Sequence, residues 1–168
     1  VADPQPLRLT SLLPATAPLF MGFRLDALHQ PELREQMLSG FAGPGMEGAR
    51  DRVAELIDVL GDEVALAIAD TTPGLVPKLA ALVDVQDMEA IKAMLFDAQL
   101  PVSGGEMYNG VEVITLPPGT IPMLTLSYAF PEDTFVVSTD PAITRAQVDA
   151  VLAGEPTALF ASIDPPLE

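Results

Sequence analysis

Apolar and polar positions follow two rhythms along the chain, and the changes of rhythm mark its elements. Over residues 18–25, Leu19, Met21, Phe23 and Leu25 alternate with Phe20, Gly22 and Arg24, the period-two pattern of a strand. Pro31, suited to the first position of a helix, opens a short helix that ends near Gly40, with Leu33 and Met37 on one side. A glycine-rich joint over 40–48 leads into a helix over 47–60, where Val53, Leu56, Ile57 and Leu60 form one apolar stripe opposite Arg50, Asp51, Arg52, Glu55 and Asp58. Gly61 suits the left-handed residue that ends such a helix.

Residues 64–69, Val-Ala-Leu-Ala-Ile-Ala, are almost continuously apolar, which predicts a strand that is central in the sheet or covered on both faces. Thr71-Thr72-Pro73-Gly74 supplies a turn to a partner strand over 77–85. Asp87 then caps a helix whose buried stripe is Met88, Ile91, Met94, Leu95 and Ala98, and Pro101 stops it. A short strand over 106–108, the hairpin turn Asn109-Gly110 and a strand over 111–116 follow. After the loop 117–122 come strands over 124–130 and 134–138, joined by Pro131-Glu132-Asp133. Asp140-Pro141 opens a last helix that carries Ile143, Ala146, Ala150 and Val151 inward and ends at Gly154; the tail holds one more strand candidate over 158–163.

This order predicts an α+β domain, an antiparallel sheet with helices packed mainly on one face. Residues 1–17, with Pro4, Pro6 and Pro14, read as an extended lead-in or tether, 18–163 as a single domain and 164–168 as a tail. Opening at Val1 rather than Met, the chain reads as a processed product or a piece of a longer one, with an anchor upstream of the lead-in as one expectation. The charge-free run 113–131 is long enough to raise the question of a membrane span, but Pro117, Pro118, Gly119, Pro122 and Pro131 rule out a helix there.

Composition narrows the function classes. A hydrophobic fraction of 49% in 168 residues suits a globular core, built from aliphatic side chains because aromatics are only 5%. The 24 acidic against 8 basic residues give a formal charge of −16, which repels nucleic-acid backbones and anionic lipid. That charge reads mainly as a solubilising surface, and secondarily as an attraction for a basic partner or divalent cations. With no cysteine, disulfides, thiolate metal sites and Cys nucleophiles are excluded.

The candidate chemistry is thin. Gly43-Pro44-Gly45-Met46-Glu47-Gly48 matches G-x-G-x-x-G, but no strand precedes it, Pro44 removes a donor and Glu47 would face the phosphates, so a flexible joint is the reading. His29, the single histidine, cannot make a two-histidine metal site and reads as a solvated residue before a helix. No serine lies in a nucleophile elbow. The pairs Asp62-Glu63 and Glu132-Asp133 read as boundary polarity, with Ca²⁺ coordination between two such turns as the sharper alternative. The loop around Pro117, Pro118, Ile121, Pro122 and Met123 is apolar for a connection and is the candidate partner contact. No cofactor is expected.

Five segments together resemble a bacterial family, domain of unknown function 3352. Residues 12–20, Leu-Leu-Pro-Ala-Thr-Ala-Pro-Leu-Phe, are similar to its opening strand, and Gly61-Asp62-Glu63-Val64-Ala65-Leu66-Ala67 to its "GDE-hydrophobic" strand. The strand 79–85 followed by Asp87-Met88-Glu89-Ala90, the hairpin Tyr108-Asn109-Gly110-Val111-Glu112-Val113, and Phe135-Val136-Val137-Ser138-Thr139-Asp140-Pro141 continue the likeness in order. The resemblance implies an extracytoplasmic bacterial protein, often behind an N-terminal membrane anchor, and brings no catalytic residues. The expected function is therefore a non-enzymatic extracytoplasmic interaction or accessory domain, in the periplasm or at the cell surface, docked on a larger membrane-protein complex. The alternatives are a binder of an apolar ligand such as a lipid or pigment and, third, a carboxylate-dependent hydrolase.

Overall fold

The computed structural model describes residues 7–13, 17–40, 43, 47–70, 77–117, 119–120 and 125–154. In chain order these residues form α1 (Arg8–Ser11), β1 (Leu19–Arg24), a 3-10 helix (Asp26–His29), α2 (Pro31–Ser39), α3 (Glu47–Val59), β2 (Leu60–Asp70), β3 (Lys78–Val85), α4 (Met88–Asp97), β4 (Glu106–Tyr108), β5 (Val111–Thr115), β6 (Ser127–Ala129), β7 (Thr134–Ser138) and α5 (Pro141–Ala153). The described strands make one seven-stranded sheet in the order β1-β2-β3-β7-β6-β5-β4, and every neighbouring pair is antiparallel. The chain is thus an α+β protein. The turn at 71–74 and the strand candidate at 158–163 lie outside the described residues.

Directly opposed residues in antiparallel strands share a face, so the register sorts the sheet. One face carries small residues over β1 to β3: Gly22 stands beside Ala65, and Ala67 beside Ala80. The short helix α1 lies on these small side chains and buries Leu9, Leu12 and Leu13 against Ala65, Ala67, Leu82 and Val136. The expectation of an extended lead-in therefore fails for residues 7–13. Four apolar residues in seven outweigh the nearby prolines once a face of small residues lets a helix approach. Residues 1–6 and 14–16 lie outside the described set.

The first turn of α1 has no cap of its own, because Leu7 offers no side-chain acceptor. Glu63 on β2 supplies one: its Oε1 accepts from the Thr10 backbone N–H at 3.2 Å. Glu63 is consequently 9% exposed and points into the α1 face, a correction to its reading as boundary polarity. Gly61 is corrected too. α3 passes into β2 with no intervening residue, and Gly61 lies within the strand. A Cβ there would stand 2.1 Å from Asp84 Oδ2, the atom that accepts from the Asp62 N–H at 2.9 Å. Close approach of that carboxylate, not left-handed backbone, accounts for the glycine.

α5 covers the same face over β5 to β7. Asp140 caps it by accepting from Ala142 N at 2.8 Å, Pro141 takes the first turn, and Gly154 at φ 63° ends it, as the sequence predicts. Its inward stripe is rotated from the expected one: Val151 is buried as expected, but Thr144, Gln147 and Val148 are buried with it, whereas Ala146 is exposed. Hydrogen bonds decide the rotation. Thr144 Oγ1 pairs with Ser138 Oγ at 2.8 Å and donates to Ser127 O at 3.2 Å, so the polar side of the helix faces two buried serines. The hairpin β4–β5 turns on Asn109 (φ 48°) and Gly110 (φ 82°), the type I′ signature. It is clasped to α5 by Asp149, which accepts from Tyr108 Oη and Asn109 Nδ2, each at 2.7 Å. The bond to Asp149 pushes the Tyr108 hydroxyl pKa up.

α4 packs on the opposite face, over its β5–β7 end. Asp87 caps it through Ala90 N at 3.0 Å, and Leu95 meets the cluster of Ile114, Leu116 and Tyr128. α2 and α3 bridge β1 and β2 and are joined by a two-point pair between Arg34 and Asp58, with Nη2 to Oδ2 at 2.7 Å. The expected stripes shift here as well. Ile57 is buried as expected and so is Leu38, which the expected stripe leaves out, while Leu33 and Leu56 are exposed.

Two stability predictions follow from these contacts. A Cβ at Gly22 would stand 2.0 Å from Thr10 Oγ1 and 3.2 Å from its Cβ. G22A should cost about 1–3 kcal/mol in urea unfolding, although alanine normally favours a strand over glycine. Adding T10A should restore part of that loss, and is itself cheap in polar terms because Thr10 Oγ1 is buried with no hydrogen-bond partner. The second prediction concerns Asp140, whose pKa is lowered mainly by the hydrogen bond from Lys78 (Nζ to Oδ2 2.8 Å), then by that of Ala142 N, against the opposing effect of burial. A depressed carboxylate contributes stability above the ordinary carboxylate range and loses it as pH falls through the folded-state pKa. D140N should lower neutral-pH stability by about 0.5–1 kcal/mol and flatten the acid limb of the unfolding profile.

Candidate binding surface

The β1–β3 end of the second face carries the larger side chains of the same strands. Leu19 stands opposite Ile68, Met21 opposite Leu66 and Phe23 opposite Val64; Ile68 and Leu66 then meet Leu79 and Ala81 across β3. Val137 on β7 continues the row beside Ala81. Among the described residues no helix covers this end. Leu19 is 51% exposed, Met21 49%, and Phe23 and Leu79 46% each. Isolated apolar side chains on a surface need no explanation, but a contiguous group marks an interaction site. Covering the exposed halves of these four would release roughly 3–6 kcal/mol of apolar transfer energy.

The group forms a shallow groove of about 510 Å³, lined by Leu19, Met21, Leu66, Ile68, Leu79 and Ala81 along the strands and by Leu126 and Val137 at one wall. Its polar neighbours are already engaged. Thr139 Oγ1 accepts from Leu79 N at 2.9 Å, and Thr139 N donates to Leu79 O at 3.0 Å. Ser138 Oγ donates to Asp140 O at 2.6 Å from the far side of the strand. Among the described residues the groove's lining is almost wholly aliphatic, so what it offers is mainly apolar contact and shape.

The structure scatters the residues singled out from sequence. Pro117 is exposed at the start of a turn in which Thr120 N and Oγ1 both donate to its carbonyl, at 3.2 and 2.8 Å. Pro118, Ile121, Pro122 and Met123 lie outside the described residues. The base of that loop is closed by Leu116 N donating to Leu126 O at 2.8 Å, and Leu126 itself lines the groove. In the glycine-rich joint, residues 44–46 likewise lie outside the described set. His29 is half-buried in the 3-10 helix rather than solvated, with Nε2 3.5 Å from Gly61 O and 3.9 Å from Asp62 Oδ1.

The two acidic pairs do approach one end of the sheet, with Asp84 between them and a cation already in place. Arg8 Nη2 lies 3.1 Å from Asp84 Oδ1 and 3.6 Å from Asp133 Oδ1. Among the described residues no three His, Asp or Glu side chains converge on a point that could hold a metal ion, and no helix is long and apolar enough to cross a membrane.

The groove residues are not singled out from sequence, because alternation groups Leu19, Met21 and Phe23 on one face of β1 without saying which face is covered. One signal could have found them. In 64–69 every second residue is alanine, and the matching position of β1 is Gly22. Such a small-residue face receives a closely packed helix, which leaves the large residues on the other side of the same strands.

If this face takes no part in holding the fold, its truncation should be tolerated where core truncation is not. M21T and L79T should each change unfolding free energy by less than about 1 kcal/mol in urea titrations, while L82A, at a fully buried position, should cost about 2–5 kcal/mol. Losses of the core size in M21T or L79T would mean that the face is already covered. No protein-family model, curated protein or solved structure matches this chain.

Proposed function

We propose that this chain is a non-enzymatic interaction domain, working outside the bacterial cytoplasm, that docks onto a larger membrane-protein assembly through the open β1–β3 face. The observation that carries the proposal is the contiguous exposure of Leu19, Met21 and Leu79 around an apolar groove, with Phe23 exposed in the same row of β1. A net charge of −16 favours a protein partner over an anionic bilayer surface or a nucleic acid. The extracytoplasmic setting rests on the resemblance set out above.

One observation favours a second reading. A volume of about 510 Å³ falls within the range of small-molecule sites, roughly 300–1,000 Å³, so a single apolar molecule such as a lipid tail or pigment is the alternative occupant.

The test is purification of the full chain from native membranes, with M21E as the groove variant and L33E as a control on α2. The proposal expects the wild-type and L33E chains to elute with one and the same protein partner, and M21E to elute alone. A wild-type chain that stays monomeric and carries nothing overturns it. Native mass spectrometry of the same samples separates the readings: a bound small molecule lost in M21E replaces the protein partner with an apolar ligand.

A further inference from the structure

The Asn109-Gly110 turn couples its own chemistry to the clasp between the β4–β5 hairpin and α5. Both residues are exposed, and nothing lies within 4 Å of the position a Gly110 Cβ would take. Gly110 thus brings no side chain of its own and has open space on its Cβ side. An asparagine followed by glycine is open to intramolecular attack: the Gly110 backbone nitrogen bonds to Asn109 Cγ, the Cγ–Nδ2 bond breaks, and ammonia leaves with the Gly110 amide proton. Water then opens the resulting succinimide at either carbonyl, giving aspartate or isoaspartate. The sequence of steps consumes one water, releases one ammonia and needs no oxidant.

In the closed turn this reaction is held back twice. A type I′ turn sets ψ of its first central residue near about +30°, which turns the next nitrogen away from Cβ. Nδ2, the leaving group, is also tied to Asp149 Oδ1 at 2.7 Å. Attack thus requires the hairpin tip to open, and the clasp governs how often it does. Once the reaction has occurred, the clasp cannot close in the same way. The donor on residue 109 has become a carboxylate facing the Asp149 carboxylate. Arg145, the nearby cation, is already paired with Glu106 at 2.5 Å. Isoaspartate also adds a backbone atom to a two-residue turn whose register pairs Tyr108 with Val111. Both of those residues pack on the cluster of Val113, Ala129 and Val148 that joins the sheet to α5.

We propose that Asn109 is a self-modification site whose deamidation is gated by the Asp149 clasp and irreversibly unfastens the β4–β5 hairpin from α5. The test incubates the full-length wild-type chain and D149A in mildly alkaline buffer and follows residue 109 by peptide mass spectrometry with isoaspartate detection. Conversion is expected in both, faster in D149A by roughly tenfold, the change in open population when about 1.4 kcal/mol of clasp is removed. In parallel, N109D is expected to lose hydrogen-exchange protection across β4 and β5 while β2 and β3 keep theirs. Should D149A fail to fold, the wild-type chain in graded sub-denaturing urea replaces it, with conversion expected to rise as the hairpin amides lose protection. An unconverted Asn109, equal rates with and without the clasp (or a rate indifferent to urea), or wild-type hairpin protection in N109D each overturns the proposal.

Discussion

Glu63 holds the amino end of α1 from a neighbouring strand, and much of the fold depends on that one bond. A four-residue helix cannot persist alone, because the cost of its nucleus exceeds what one turn of hydrogen bonds returns. Here the missing cap comes from β2, and the close approach it requires comes from Gly22, Ala65, Ala67 and Ala80. The carboxylate is stable in its buried place because it accepts a backbone donor that would otherwise lack a partner. Small residues, buried acid and short helix are therefore one arrangement.

The same arrangement determines what is left outside. Strands alternate, so a face kept small for a helix obliges the large residues of β1 and β2 to point the other way. Among the described residues, α4 covers that second face only from β5 to the near side of β3, because its cap at Asp87 and its stop before Pro101 limit it to the ten residues of Met88–Asp97. The apolar groove is the remainder. Its position follows from helix length and strand parity, and its apolar character needs no feature beyond the β-branched and leucine-rich strands that build the sheet.

Local chemistry was well legible in the sequence, and long-range choices were not. Asp87 and Asp140 at helix starts, Gly154 at a helix end and Asn109-Gly110 at a hairpin each act on neighbours within a few residues, and each does in the structure what its residue type predicts. Glu63, Gly61 and the segment 7–13 act on partners far along the chain, such as Thr10, Asp84 and Val136, where spacing carries no information. The groove belongs to this second group. Alternation identifies β1 as a strand, but which of its faces is dry depends on where α1 lands. The rotated stripe of α5 is a related case: counting apolar residues could not foresee that Ser127 and Ser138 would draw Thr144 inward.

The sheet order has a consequence for how the chain can be divided. β1-β2-β3 and β7-β6-β5-β4 are each consecutive in sequence, and the register between β3 and β7, from Ala80–Ser138 to Asp84–Thr134, is where the two runs meet. Every other strand pair joins neighbours in the chain. The molecule is thus two meanders zipped along one five-pair seam, with α4 as the covalent strap from one to the other. A break in the strap near Pro101 would leave every strand pair but β3–β7 within one piece, and the two pieces would each retain one side of the seam as an unpaired template for the other. Such an architecture lends itself to reassembly from halves, and to exchange of a half between two copies, in a way that a sheet with interleaved strands does not.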